Sequence, residues 1–346
     1  MTKDYFKRVS AKTPTRFWIN NVTEEQARLA IEAGAINCTQ NPTYPSKILG
    51  NPVLGEGPDN LLKKLMEEDA DNESVLTKFQ LHSVKKICDI FLPVFEKSKG
   101  KEGYVTIQSS PLDESFENIV TCAEMYKDVA PNIMIKIPAT ESGLEAIRYL
   151  CEQGYAVLAT EVMSVAQAID VCEIYEECLK KNSDVKTFAF AHIAGIFDEE
   201  LSAQVEAQNI DVDRDALWQA GIIVAKKIRR MMDDRGYKAE MLSGGARGLH
   251  HFTEMVGARS GITINWQGTA DKLLEANGVV IDRFSCAPAP DVIDELLEKI
   301  PDFKRAYLRD GLKAEEYEDF APVRRFRNQF ENGWNKALDY IADRRK

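Results

Sequence analysis

The feature that most constrains this chain is an alternation. Eight short apolar runs, at 16–20, 35–39, 104–108, 133–137, 155–160, 186–191, 239–243 and 262–265, are each followed by a stretch of helical periodicity or a helix-breaking loop. Strands that alternate with helices build a parallel sheet. Eight of them favour a closed (β/α)8 TIM barrel over an open, doubly wound sheet. No Gly-x-Gly-x-x-Gly follows any run, so a dinucleotide-binding fold loses support. In such a barrel the functional side chains lie at the C-terminal ends of the strands. That rule turns the runs into a site list: Asn20, Thr39 with Asn41, Gln108, Lys136, Thr160, Ala191 with His192, Ser243 with Arg247, and Asn265.

One of these ends carries an unusual residue. In Ile133-Met134-Ile135-Lys136-Ile137-Pro138-Ala139-Thr140 a lysine interrupts a run that otherwise reads as a buried strand. Burial disfavours the ammonium form and lowers the amine's pKa, giving a neutral nucleophile near neutral pH. Schiff-base chemistry on a carbonyl needs such a group. The segment alone is equally compatible with a strand-end lysine that snorkels to solvent.

The remaining bounds are broad. A single barrel domain over 1–346 is expected, with a helical extension from about 290 to 346. A net charge of −11 argues against a nucleic-acid partner. The basic clusters Lys226-Lys227-Ile228-Arg229-Arg230 and Arg324-Arg325-Phe326-Arg327 read as solvated helix faces. The stretch 1–15 is polar and without an apolar core, and no run approaches membrane-spanning length. Seven scattered cysteines, without a CxxC pair or a Cys/His cluster, point to free thiols, a cytoplasmic setting and no metal site.

Four motifs resemble the transaldolase family, class I Schiff-base enzymes on a (β/α)8 barrel, and the likeness spans roughly residues 16 to 285. Ile135-Lys136-Ile137-Pro138-Ala139-Thr140 is similar to the family's lysine strand, and Thr39-Gln40-Asn41-Pro42-Thr43 to its Thr-Thr-Asn-Pro-Ser/Thr segment. Thr160 with Ser164-Val165-Ala166-Gln167-Ala168 resembles the strand-five threonine and Phe-Ser-x-x-Gln-Ala, and Gly244-Gly245-Ala246-Arg247 the segment carrying a phosphate-binding arginine. The resemblance implies that Lys136 forms an imine with a ketose donor. Cleavage of the neighbouring carbon–carbon bond then leaves a dihydroxyacetone-type carbanion held as an enamine. It also implies pentose-phosphate-type carbohydrate metabolism, no cofactor, a sugar or sugar phosphate as substrate and a homo-oligomer.

The departures are as informative. Asn20 stands where the family has an aspartate (Asn21 is the other reading of the register), and Gln108 where it has a glutamate or, in the short aldolase branch, often a glutamine. Amides hydrogen-bond but do not exchange protons at neutral pH. Leu158 replaces an asparagine, a strand-six serine becomes Ala191 or is displaced, and an arginine aligns near Ile196, leaving Arg247 alone of a phosphate-clamping pair. Two newcomers could compensate. Glu161 either returns a carboxylate to the site or faces the helical layer. His192 is either a titrating group or a structural histidine. The expected catalytic set is therefore Lys136, Thr160, Gln108, Asn20 and Glu161, and the expected binding set Thr39, Asn41, Ser164, His192, Ser243 and Arg247. The leading expectation is an active transaldolase or aldolase with a non-standard substrate. The alternative is a catalytically silent barrel that binds a sugar or metabolite.

Overall fold

The computed structural model describes residues 3–346, so residues 1–2 of the expected domain lie outside it. Eight parallel strands close into a barrel in sequence order. They are β1 (Arg16–Asn20), β2 (Asn37–Thr39), β3 (Val105–Gln108), β4 (Ile133–Pro138), β5 (Val157–Val162), β6 (Phe188–His192), β7 (Glu240–Ser243) and β8 (Gly261–Asn265). The ring closes where β1 pairs with β8 from Arg16↔Gly261 to Asn20↔Asn265. A parallel sheet wrapped by helices is buried on both faces, which is why β3, β4, β5 and β6 are buried at every position.

Local signals set the helix starts. Thr23 and Gln26 form a capping box on the helix Glu24–Ala33, and Gly34 ends it in a left-handed conformation at φ 110°. Asp71 caps Asn72–Lys97, Thr140 caps Glu141–Glu152, and Asp213 caps Arg214–Arg235. Among the helices that no sequence signal announced are Tyr5–Lys12, which stacks Phe6 on Phe17 at the barrel base, and Ala194–Gln208 after β6.

The helical extension is present, and its last element decides the site. The helix Ala321–Arg345, called here the capping helix, packs against the helices Tyr44–Ile48 and Ala194–Gln208 and against β5. Gly333 permits the close approach, since a Cβ there would lie 2.6 Å from the Thr43 side chain. Trp334, fully buried, donates from Nε1 to Glu73 at 2.8 Å. The basic stretches are not the solvated faces the sequence suggested. Lys226 and Arg229 are buried, and Arg327 sits in an ion pair inside the protein. No helix among the described residues is long and apolar enough to cross a membrane.

Candidate active site

At the C-terminal mouth of the barrel lies a cavity of about 200 Å³. Lys136 lines it, with Asn20, Thr39, Asn41, Thr160 and Arg247 from the expected set. Leu158, Ala191 and Ile196, three of the replaced positions, line it too. The capping helix closes the other side with Phe326, Gln329 and Phe330.

Lys136 is buried, and its amine donates to Asn41 Oδ1 at 2.8 Å. The same nitrogen lies 4.6 Å from the Phe330 ring centre and 5.9 Å from that of Phe326. Desolvation is the largest influence on the amine and brings its pKa from 10.5 down to about 7, against the opposing pull of Glu161 and Glu114. It therefore does not snorkel. It is enclosed, and near neutrality much of it is an uncharged nucleophile.

Register explains how the strand ends face. Gln108 pairs with Lys136 and Lys136 with Leu158, so these side chains share the interior face. β5 then loses its register between Ala159 and Val162, and Glu161 takes a left-handed φ of 61°. This bulge keeps Glu161 fully buried within electrostatic reach of Lys136 and Arg327, not among the helices. Burial is again the main influence and pushes the Glu161 carboxyl from 4.5 up to about 7, opposed by Arg327, Lys136 and the Gln108 amide. Glu114 Oε2 lies 2.6 Å from Arg327 Nη2, and burial followed by the charge of Glu161 holds its carboxyl well above the usual range.

Several buried polar atoms here have no hydrogen-bond partner among the described residues. They are both Glu161 oxygens, both amide atoms of Gln108 and the Thr160 hydroxyl. Thr160 faces the cavity, whereas Gln108 and Glu161 lie behind its wall. On the opposite wall Asn20 Oδ1 accepts from Thr39 at 2.8 Å and from Asn41 at 3.3 Å, and Asn20 donates to Asn265 at 2.8 Å.

Three expected site residues are elsewhere. Ser164 caps the helix Val165–Lys181 by accepting from the Gln167 amide at 3.1 Å, and it does not reach the cavity. His192 follows the inward Ala191 and so points outward, between Val162 O at 3.0 Å and Gly221 O at 3.2 Å. Burial lowers its pKa to about 4, so it is a neutral structural residue. Ser243 pairs in register with His192 and Ile262, which places it on the same outward face. Gly244, at the start of the segment that carries Arg247, donates its N–H to His192 O at 2.8 Å.

A group of Asp198, His250 and His251 has the atoms of a metal site but not its protonation. His251 Nδ1 faces the N–H groups of Arg247 and Gly248, so its proton lies on Nε2 and goes to Asp198 at 2.8 Å. A metal at Nε2 would demand an imidazolate. The pair instead braces the loop that carries Arg247.

The residues missed from sequence are Glu114, Arg327, Gln329, Phe326 and Phe330. The only hint of them was the apolar spacing of Phe326 and Phe330 inside a basic helix.

Over much of its length the chain is similar to known proteins. A profile for transaldolase/fructose-6-phosphate aldolase matches residues 17–324, ending just before Phe326. A transaldolase of Thiobacillus denitrificans is 27% identical over 203 residues, covering 55% of each chain. One from Mycobacterium ulcerans is 29% identical over 173 residues, covering 47% of this chain and 46% of its own. This chain thus spans about half the length of the curated relatives it matches. A solved structure of a candidate phosphonomutase from Burkholderia cenocepacia J2315 covers 77% of this chain and 85% of its own, at 12% identity and a TM-score of 0.34. On the profile match over nearly the whole barrel, this chain belongs to the transaldolase/fructose-6-phosphate aldolase family.

Proposed function

We propose that the protein is a class I Schiff-base aldolase or transaldolase in which Lys136 attacks the carbonyl of a ketose. The observation that carries this reading is Lys136 itself: buried, brought down to about 7, and facing a polar cavity large enough for a small sugar. A silent binding barrel gains nothing from the desolvation cost of such a lysine.

In the first step the neutral amine adds to the ketose carbonyl, and the carbinolamine loses water to leave a protonated imine. Thr160 Oγ1, unpartnered and at the cavity wall, is placed to hydrogen-bond the departing hydroxyl, which takes its proton from solvent. The imine then accepts the electron pair of the breaking carbon–carbon bond, while the hydroxyl on the departing carbon gives its proton to water and that carbon leaves as the aldehyde product. The resulting enamine either attacks an acceptor aldehyde or takes up a proton, and water hydrolyses the imine. Glu161, behind the wall, is the proton partner of Lys136. Burial of both groups favours their uncharged forms, so one proton can move between them near neutrality. Asn20 and Asn41 supply hydrogen bonds to substrate hydroxyls in place of acid–base chemistry. No cofactor enters this scheme, and the buried free thiols suit a reducing, cytoplasmic setting.

The test is borohydride reduction with dihydroxyacetone, fructose and fructose 6-phosphate, followed by intact mass and peptide mapping, with Lys136→Ala as control. An adduct confined to Lys136 is expected. Absence of any adduct across the panel would leave the silent binding barrel.

A further inference from the structure

We infer that the cavity accepts a substrate whose far end is an uncharged polyol, and that Glu199 imposes this by occupying Arg247. The inference rests on the Schiff-base reading only for the carbonyl end of the substrate. Its far-end claim stands on the opposite wall.

Lys136 and Arg247 are the only charged residues that line the cavity among the described residues. Arg247 carries five N–H donors, and each has a protein acceptor. Nε donates to Glu199 Oε1 at 2.6 Å, and Nη2 to Glu199 Oε2 at 3.2 Å and to Gln329 Oε1 at 3.4 Å. Nη1 reaches the carbonyls of Gly245 at 3.1 Å and Ala246 at 3.5 Å. Next to this pair Arg325 meets Glu200 at 3.1 Å and Glu199 at 3.8 Å, so in this cluster two arginines face two glutamates.

A phosphate monoester brings a charge of about −1.5 to −2 near pH 7 and three acceptor oxygens. Here it would find Arg247 saturated and the Glu199 carboxylate directly behind it, a like-charge approach that works against binding. The rest of the wall is neutral: Asn20, Asn21, Asn41, Thr43, Asn265 and Gln329. Amides and hydroxyls both donate and accept, which matches a chain of sugar hydroxyls and gives nothing special to an anion. Glu199 and Arg247 are each about one-third exposed, at 34% and 36%, so solvent screens the pair and the preference is graded.

The far end can be tested without turnover. Isothermal titration of the full chain with a neutral hexitol and with its 6-phosphate gives two dissociation constants, for wild type and for Glu199→Gln. Wild type should bind the hexitol about tenfold more tightly than its phosphate, and Glu199→Gln should narrow or invert that ratio by about the same factor. Tighter binding of the phosphate to wild type, no binding of either ligand, or a ratio unmoved by Glu199→Gln would each overturn the inference. Dihydroxyacetone has no far end, so borohydride trapping with it reports on Lys136 alone. Failure of that trapping beside an intact hexitol preference would strike the chemistry and spare Glu199.

Discussion

Replacing Lys136 by methionine should make the protein more stable at neutral pH while abolishing imine formation. The buried amine titrates near 7 in the folded chain and near 10.5 when exposed. At about 1.4 kcal/mol per pH unit of displacement, holding Lys136 in place costs the fold about 4–5 kcal/mol at pH 7. Methionine is of similar length and carries no such cost. One loss opposes the gain: the bond to Asn41, about 1 kcal/mol. A net gain of about 3 kcal/mol remains, or about 4 °C in Tm for a chain of this size. The pH dependence is the sharper check. Between about 7 and 10.5 the unfolded chain binds the proton that the folded chain has released, so wild-type stability rises with pH in that window. By pH 9 the cost falls to about 2 kcal/mol, and the advantage of Lys136→Met should shrink to about 1 kcal/mol. Urea melts of both proteins at pH 7 and pH 9 measure this directly. Stability curves that run parallel, or a variant weaker than wild type at pH 7, would refute the claim that Lys136 is strained by desolvation.

Two further expectations concern the groups around it. Glu161→Gln removes the carboxylate that favours the Lys136 ammonium, so the acidic limb of the kcat/KM profile should move to lower pH and turnover should fall about 10²-fold; a pH–rate profile identical to wild type would remove Glu161 from the chemistry. Arg327→Met leaves Glu114 and Glu161 buried without their counter-charge and should cost about 3–5 kcal/mol in urea melts. Adding Glu114→Gln should restore most of that loss, and no recovery would mean that Arg327 acts through packing.

The barrel was legible because each strand carries its own local signal and the helices between them carry caps, such as Thr23 with Gln26 and Asp213 ahead of Arg214–Arg235. Lys136 was legible because a charge in an apolar run has few explanations. Facing was harder to read. Side chains alternate along a strand, so a shift of one residue moves a candidate from cavity to helix layer. Ala191 and His192 differ by one such step, and Ser243 follows His192 through the register. Glu161 defeats parity altogether, because the bulge in β5 lets it and Thr160 both lie toward the interior. The capping-helix residues were beyond reach for another reason: Phe330 meets Lys136 from more than half the chain away, and nothing local encodes that docking. The same distance made Arg327 look solvated when it is paired with Glu114.

The order of these elements along the chain has a consequence for synthesis. Chains grow from the N-terminus at about 5–20 residues per second, and earlier segments begin folding first. All eight strands precede the capping helix, so a closed barrel can exist while Phe326, Arg327 and Phe330 are still being added. Until that helix docks, the mouth beside Lys136 lacks the Phe326 and Phe330 rings, so part of the apolar surface that desolvates the amine arrives late in synthesis.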